Sequence, residues 1–140
     1  MEPTAPMPFT PEMDAAFAKA KAKLDPARLK QLLFDLTNIH SPTGATREIV
    51  EFVAGHMEKI GLKPTLDPMT EISANILGER RGMGGGATLL LYSPIDTHLE
   101  GDESDFPWAG PEQFVDLKPE ASMVDDWVYG LGSSNPKALA

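Results

Sequence analysis

The ten residues Leu89-Leu90-Leu91-Tyr92-Ser93-Pro94-Ile95-Asp96-Thr97-His98 decide the fold expected of this chain. The apolar run from Ala87 to Tyr92 has the length and character of a strand buried on both faces, and so of the centre of a sheet. At its end the run delivers a carboxylate and an imidazole, and in α/β sheets ligands bind at the carboxyl ends of strands. If the extended geometry continues, the two-residue period puts Asp96 and His98 on one side, close enough to share a metal ion or a proton. The plainer reading of the same residues is an aspartate capping a turn and a histidine in solvent.

Upstream of this stretch the spacing is helical. Ala16, Phe17, Ala20 and Leu24 form an apolar stripe from Met13 onward, with lysines on the other side. Asp25-Pro26 pairs a good N-cap with a residue suited to the first helical position, and Leu29, Leu32, Leu33, Leu36 and Ile39 follow as the stripe of a second helix. Ser41-Pro42-Thr43-Gly44 is turn chemistry. Ile49, Val50, Val53, Met57 and Ile60 then mark a third helix that stops at Gly61. Two extended pieces, near Thr65 to Asp67 and from Ile72 to Leu77, form a plausible strand pair, and Trp127-Val128-Tyr129 is another short strand. Helices followed by strands predict an α/β fold in which the N-terminal helices pack on a mixed sheet.

The remaining segments carry less. Pro3, Pro6, Pro8 and Pro11 suit a loose, extended arm over residues 1–12. The cluster Gly82-Met83-Gly84-Gly85-Gly86 lacks the Lys-Ser/Thr ending of a phosphate loop and precedes a strand instead of opening a helix. From Glu100 to Glu120 the acid-rich chain has no period and reads as a surface excursion pinned by Phe106, Trp108 and Phe114. Its acids Glu100, Asp102, Glu103 and Asp105 lack calcium-loop spacing and read as a solvated loop. His40 is expected at a helix end as a partner of the dipole or a surface residue, His56 on a helix surface, and Ser133 and Ser134 as loop formers.

Composition narrows the function. With 140 residues, 41% of them hydrophobic and 24% charged, the chain is long enough for one domain with a real core. A formal charge of -9 argues against nucleic acid and anionic lipid as partners. There is no cysteine, so any metal must be held by His, Asp, Glu or amide oxygen. No basic-then-apolar leader and no run of membrane length is present, and a cytoplasmic location is the default expectation.

Several short motifs occur in a telling order: the helix pair around Ser41-Pro42-Thr43-Gly44, then Asn75-Ile76-Leu77-Gly78, then Asp96, then Gly130-Leu131-Gly132-Ser133-Ser134-Asn135-Pro136-Lys137. Their order and spacing resemble the zinc aminoacylase, acetylornithine deacetylase, succinyl-diaminopimelate desuccinylase and carnosinase family, from about Asp25 to the last residue. The resemblance implies that residues 13–140 are a partial metallohydrolase-like catalytic domain, incomplete relative to the family's own. It also implies zinc or another divalent metal as cofactor, and a small amide or peptide as substrate. Asp96 matches the aspartate that orients a zinc-bound histidine in the family's Gly-His-x-Asp motif. Here, however, Pro94 stands where that histidine belongs. In the second motif Leu131 replaces an arginine, and Asn135 replaces the aspartate that bridges two zinc ions.

Two repairs are conceivable. His98 takes over as metal ligand from the other side of Asp96, or Asn135 ligates through its carbonyl oxygen or orients a substrate carboxylate. The family's general-base glutamate has no counterpart before Ala140, so the chain is expected to be inactive alone, the N-terminal part or small subunit of an amidohydrolase. The exposed sheet edge such a fragment would carry predicts a second polypeptide or self-association. The alternative expectation is a non-catalytic binding or regulatory module derived from the same fold.

Overall fold

The computed structural model describes residues 9–105, 107, 118–134 and 137–139. The first helix, α1 (Pro11–Lys21), begins where Thr10 accepts a hydrogen bond from the Met13 amide at 3.3 Å and Pro11 occupies the opening turn. It therefore starts earlier than the apolar spacing indicated, and the last two residues of the expected arm belong to it. In α2 (Pro26–Thr37), the Asp25 carboxylate accepts from the amides of Ala27 and Arg28, both at 3.1 Å, as the Asp-Pro pair predicts. The helix α3 (Arg47–Lys59) ends in a Schellman turn. The Leu62 amide reaches the Met57 carbonyl at 2.9 Å, and Gly61, at φ 79°, reaches Glu58 at 2.9 Å. Met57 and Leu62 meet over Gly78, which gives the turn its apolar clasp.

The strands β1 (Lys63–Pro68) and β2 (Ala74–Glu79) pair antiparallel with Leu66 opposite Ile76, and α3 packs across both. Thr46 locks the start of α3 to this hairpin: its hydroxyl donates to the Ala74 carbonyl at 3.1 Å and accepts from the Ala74 amide at 3.3 Å. Next to this joint lie Ile49 and Val50, both fully buried, and Leu36, Ala74 and Leu131 complete the buried apolar set among the described residues.

A second hairpin joins β3 (Ser122–Val124) to β4 (Trp127–Tyr129) through Asp125 and Asp126, with Asp125 at φ 53°. Lys30 of α2 ties it down, donating to the Asp126 carboxylate at 2.9 Å and to the Asp125 carbonyl at 3.2 Å. Between α2 and β4 runs an open groove of about 880 Å³, walled by Leu29, Leu32, Leu33, Trp127 and Val128.

The architecture is mixed α and β, but its sheets differ from the expected single mixed one. Among the described residues there are two separate antiparallel pairs. The expected central strand is not formed: Ala87 to Tyr92 pairs with nothing described, and Leu89, Leu90, Leu91 and Tyr92 are 80 to 86% exposed. A strand needs a neighbour for its amides and carbonyls as well as apolar cover, and neither is present among the described residues. Of the aromatics expected to pin the 100–120 excursion, Phe106, Trp108 and Phe114 lie outside the described residues. No helix among the described residues is long and apolar enough to cross a membrane.

Candidate functional site

Three motifs distant in sequence meet at the end of the Leu89–His98 stretch. The Ser41–Thr43 loop lies alongside Asp96–Thr97 in a single parallel bridge between Pro42 and Thr97. The Thr97 amide donates to the Ser41 carbonyl and the Thr43 amide to the Thr97 carbonyl, each at 2.9 Å. The buried Ser41 hydroxyl adds a bond to the Ile95 carbonyl at 3.0 Å. Thr43 then reaches back, its hydroxyl donating to Asp96 Oδ2 at 2.6 Å. That length is typical of a hydroxyl bonded to a carboxylate, and it fixes the direction in which Asp96 points.

The third motif arrives from the other side. A Cβ added at Gly132 would stand 3.0 Å from Thr97 Cγ2 and 3.2 Å from Lys137 Cδ, so this segment lies against both. Lys137, 3% exposed, donates from Nζ to the Ile39 carbonyl at 2.6 Å, just beyond the C-terminus of α2, where a cation complements the helix dipole. No salt bridge reaches it among the described residues. Burial pulls its ammonium down from 10.5 to about 8.

The sign of that shift gives a prediction. Below about pH 8 the amine is charged in the folded and the unfolded chain, and its desolvation cost is fully present. Between about 8 and 10.5 only the unfolded chain keeps the proton, so stability rises with pH across that window. The rise should be roughly 1–2 kcal/mol once nearby solvent is allowed for. Denaturant titrations at several pH values should show it in the native chain and a flatter profile in Lys137→Met. The slope is the readout, since the substitution also leaves the Ile39 carbonyl without its partner.

The residues singled out by sequence fare differently. Asp96 is half-buried and held by Thr43, whereas His98 is exposed. Asn135 lies outside the described residues. His40 leaves the dipole role to Lys137: its Nε2 sits 2.6 Å from the Glu100 carbonyl oxygen and 3.8 Å from the Glu100 carboxylate. His56 Nδ1 lies 3.1 Å from the Phe52 carbonyl, with its ring 4.4 Å from that of Phe52. In the acidic loop, Asp105 turns inward and accepts from the amides of Glu100 and Gly101, a turn-forming role. Thr43 was legible only as turn chemistry, because the partner that gives it a role is 53 residues away.

Among the described residues no three of His, Asp and Glu come together to hold a metal ion. Asp96 and His98 provide at most two donors, short of the three protein ligands that a catalytic zinc site needs. Asn135, the other expected ligand, lies outside those residues.

The chain matches no protein-family model and no solved structure.

Proposed function

We propose that this chain is the N-terminal part or small subunit of a metal-dependent amidohydrolase, cleaving an amide bond near a carboxylate in a small substrate, and that it works in the cytoplasm. On this reading it is incomplete relative to the full catalytic domain. It supplies a frame, while the general base and most metal donors come from residues beyond those described or from a second polypeptide. The observation that carries the reading is the convergence of Ser41–Thr43, Asp96–Thr97, and Gly132 with Lys137. These are the motifs that resemble the amidohydrolase family, and they meet at the end of the Leu89–His98 stretch by direct hydrogen bonds and close packing. The exposed Leu89–Tyr92 run fits the same reading, as a strand whose neighbours belong to the completing polypeptide.

Native mass spectrometry of the protein from its own cells tests this, because it reads assembly mass and bound metal together. A metal-bearing complex with a second polypeptide is expected. In that complex Asp96→Asn should lower amide hydrolysis by about 10–100-fold. It should cost under about 1 kcal/mol of stability, since the amide oxygen still accepts from Thr43. His98→Ala should reduce the metal content. A metal-free assembly of this chain alone would overturn the catalytic reading.

A second reading, a binding or regulatory module descended from the same fold, is favoured by Pro94 at the ligand position and by the Asp96 carboxylate already engaged with Thr43. It predicts an unchanged assembly, and no hydrolysis to lose, on Asp96→Asn.

A further inference from the structure

The helix α1 has eleven residues and buries none of them. Isolated helices of that length are marginal in water, so a stable α1 needs something to cover it. Met13 and Phe17, 45% and 65% exposed, fall with Ala16 and Ala20 inside a stripe about 100° wide when placed at 100° per residue, and the exposed Phe9 and Leu24 lie just before and just after the helix. The joint to α2 is short and hydrogen-bonded: the Lys23 amide reaches the Ala20 carbonyl at 3.0 Å and the Leu24 amide reaches Lys21 at 3.1 Å, and Asp25 at once caps α2. That leaves no slack for α1 to fold back over the groove beside α2.

Charge identifies the occupant. The first turn of α1 is acidic, with Glu12 and Asp14, and its last turn is basic, with Lys19 and Lys21. Residues 19–30 hold five basic side chains and one acidic, in a chain whose net charge is -9. A helix charged in this way is complementary to itself turned end for end. When two copies lie antiparallel about a two-fold axis near Phe17, the apolar stripes face each other. Asp14 of one copy then meets Lys21 of the other along one flank, and Glu12 meets Lys19 and Lys23 along the opposite flank. A two-fold axis repeats each pair, as a self-complementary dimer requires.

We propose that α1 is a homodimerisation element that pairs antiparallel with α1 of a second copy of this chain. The inference is independent of the catalytic reading, since it uses no residue of the Asp96 site. One helix pair buries less than a standard interface, so the dimer should be weak and dependent on concentration. Salt should loosen it.

The test is sedimentation equilibrium of the full chain from about 5 to 500 µM, a range that brackets a micromolar complex. The native chain should pass from monomer to dimer. Lys19→Glu with Lys21→Glu should weaken this about tenfold or more, because each attractive flank becomes repulsive, and Glu12→Lys with Asp14→Lys should do the same. An equimolar mixture of the two variants should restore the dimer, with circular dichroism showing helix regained on mixing. A native chain that stays monomeric throughout overturns the proposal, as do charge variants that dimerise like the native chain. A mixture that fails to recover the dimer also overturns it. A monomer whose α1 is nonetheless fully helical would assign the apolar face to a different protein.

Discussion

Gly130→Ala is expected to destabilise the fold by about 3 kcal/mol or more, one of the two largest effects of any single change here. Gly130 sits at φ 146°, a conformation that L side chains rarely adopt. A Cβ there would lie 2.5 Å from Thr37 Cγ2, 3.2 Å from Ala121 Cα and 3.4 Å from the Glu120 carbonyl oxygen. Two of those neighbours are backbone, and the backbone is tethered: the Ala121 amide donates to Asn38 Oδ1 at 3.0 Å and the Leu131 amide to the Lys118 carbonyl at 2.8 Å. Thr37 is fully buried, so its methyl group has nowhere to go. Chemical denaturation should show the loss. Gly55→Ala is the matched control, because Gly55 lies within α3 and a Cβ there meets nothing within 4 Å. That substitution should raise stability by about 0.5–1 kcal/mol. Equal effects at the two sites would mean that Gly130 is not pinned as described. The consequence reaches the candidate site, because Gly130 leads into the segment that rests on Thr97 and carries Lys137.

The helices were legible because their signals are local. Asp25-Pro26 specifies the start of α2 whatever the rest of the chain does, and Gly61 stops α3 by a bond pattern contained within six residues. The β1–β2 pair was legible in outline for the same reason. The second hairpin was only half legible. Its turn is Asp125-Asp126, not the Asn-Gly or Asp-Gly pair that marks a tight hairpin, and β3 has three residues with all of them exposed. Asp125 nonetheless adopts the positive φ that such a turn demands, which Asp tolerates better than most residues.

The run Leu89 to Tyr92 shows where sequence pattern stops being informative. An apolar run reports a preference for apolar surroundings; it does not say whether this chain or another supplies them. The pairing of Asp96 with Thr43 was hidden for a related reason. Asp96 reads as a candidate site residue and Thr43 as a turn former, but a contact across 53 residues depends on how the loop after α2 is threaded against Asp96–Thr97. Lys137 likewise looked like a motif residue, and only the fold gives it a buried place beside the Ile39 carbonyl.

Ile49→Ala should cost about 3–4 kcal/mol, because the side chain is fully buried and its removal leaves a cavity at the joint of α3 and the β1–β2 hairpin. Domains of this size have total stabilities of roughly 5–15 kcal/mol. Among the described residues the buried apolar set is small, with Ile49 and Val50 its fully buried large members, so the loss takes a large share of that stability and should shift the denaturation midpoint clearly. Leu90→Ser supplies the contrast. Leu90 is as apolar as Ile49 but 83% exposed, so in the isolated chain its replacement should change stability by no more than about 0.5 kcal/mol. In the assembled protein the two should converge, since a completing polypeptide that seats the Leu89–Tyr92 strand would bury Leu90. A Leu90→Ser change that is silent in the isolated chain yet weakens the complex by tenfold or more, about 1.4 kcal/mol, would place the missing neighbours of this strand on the second polypeptide. If Leu90→Ser is silent in both settings, the stretch that leads into Asp96 is open to solvent in the working protein. The frame around it would then belong to a binding module and not to a hydrolase.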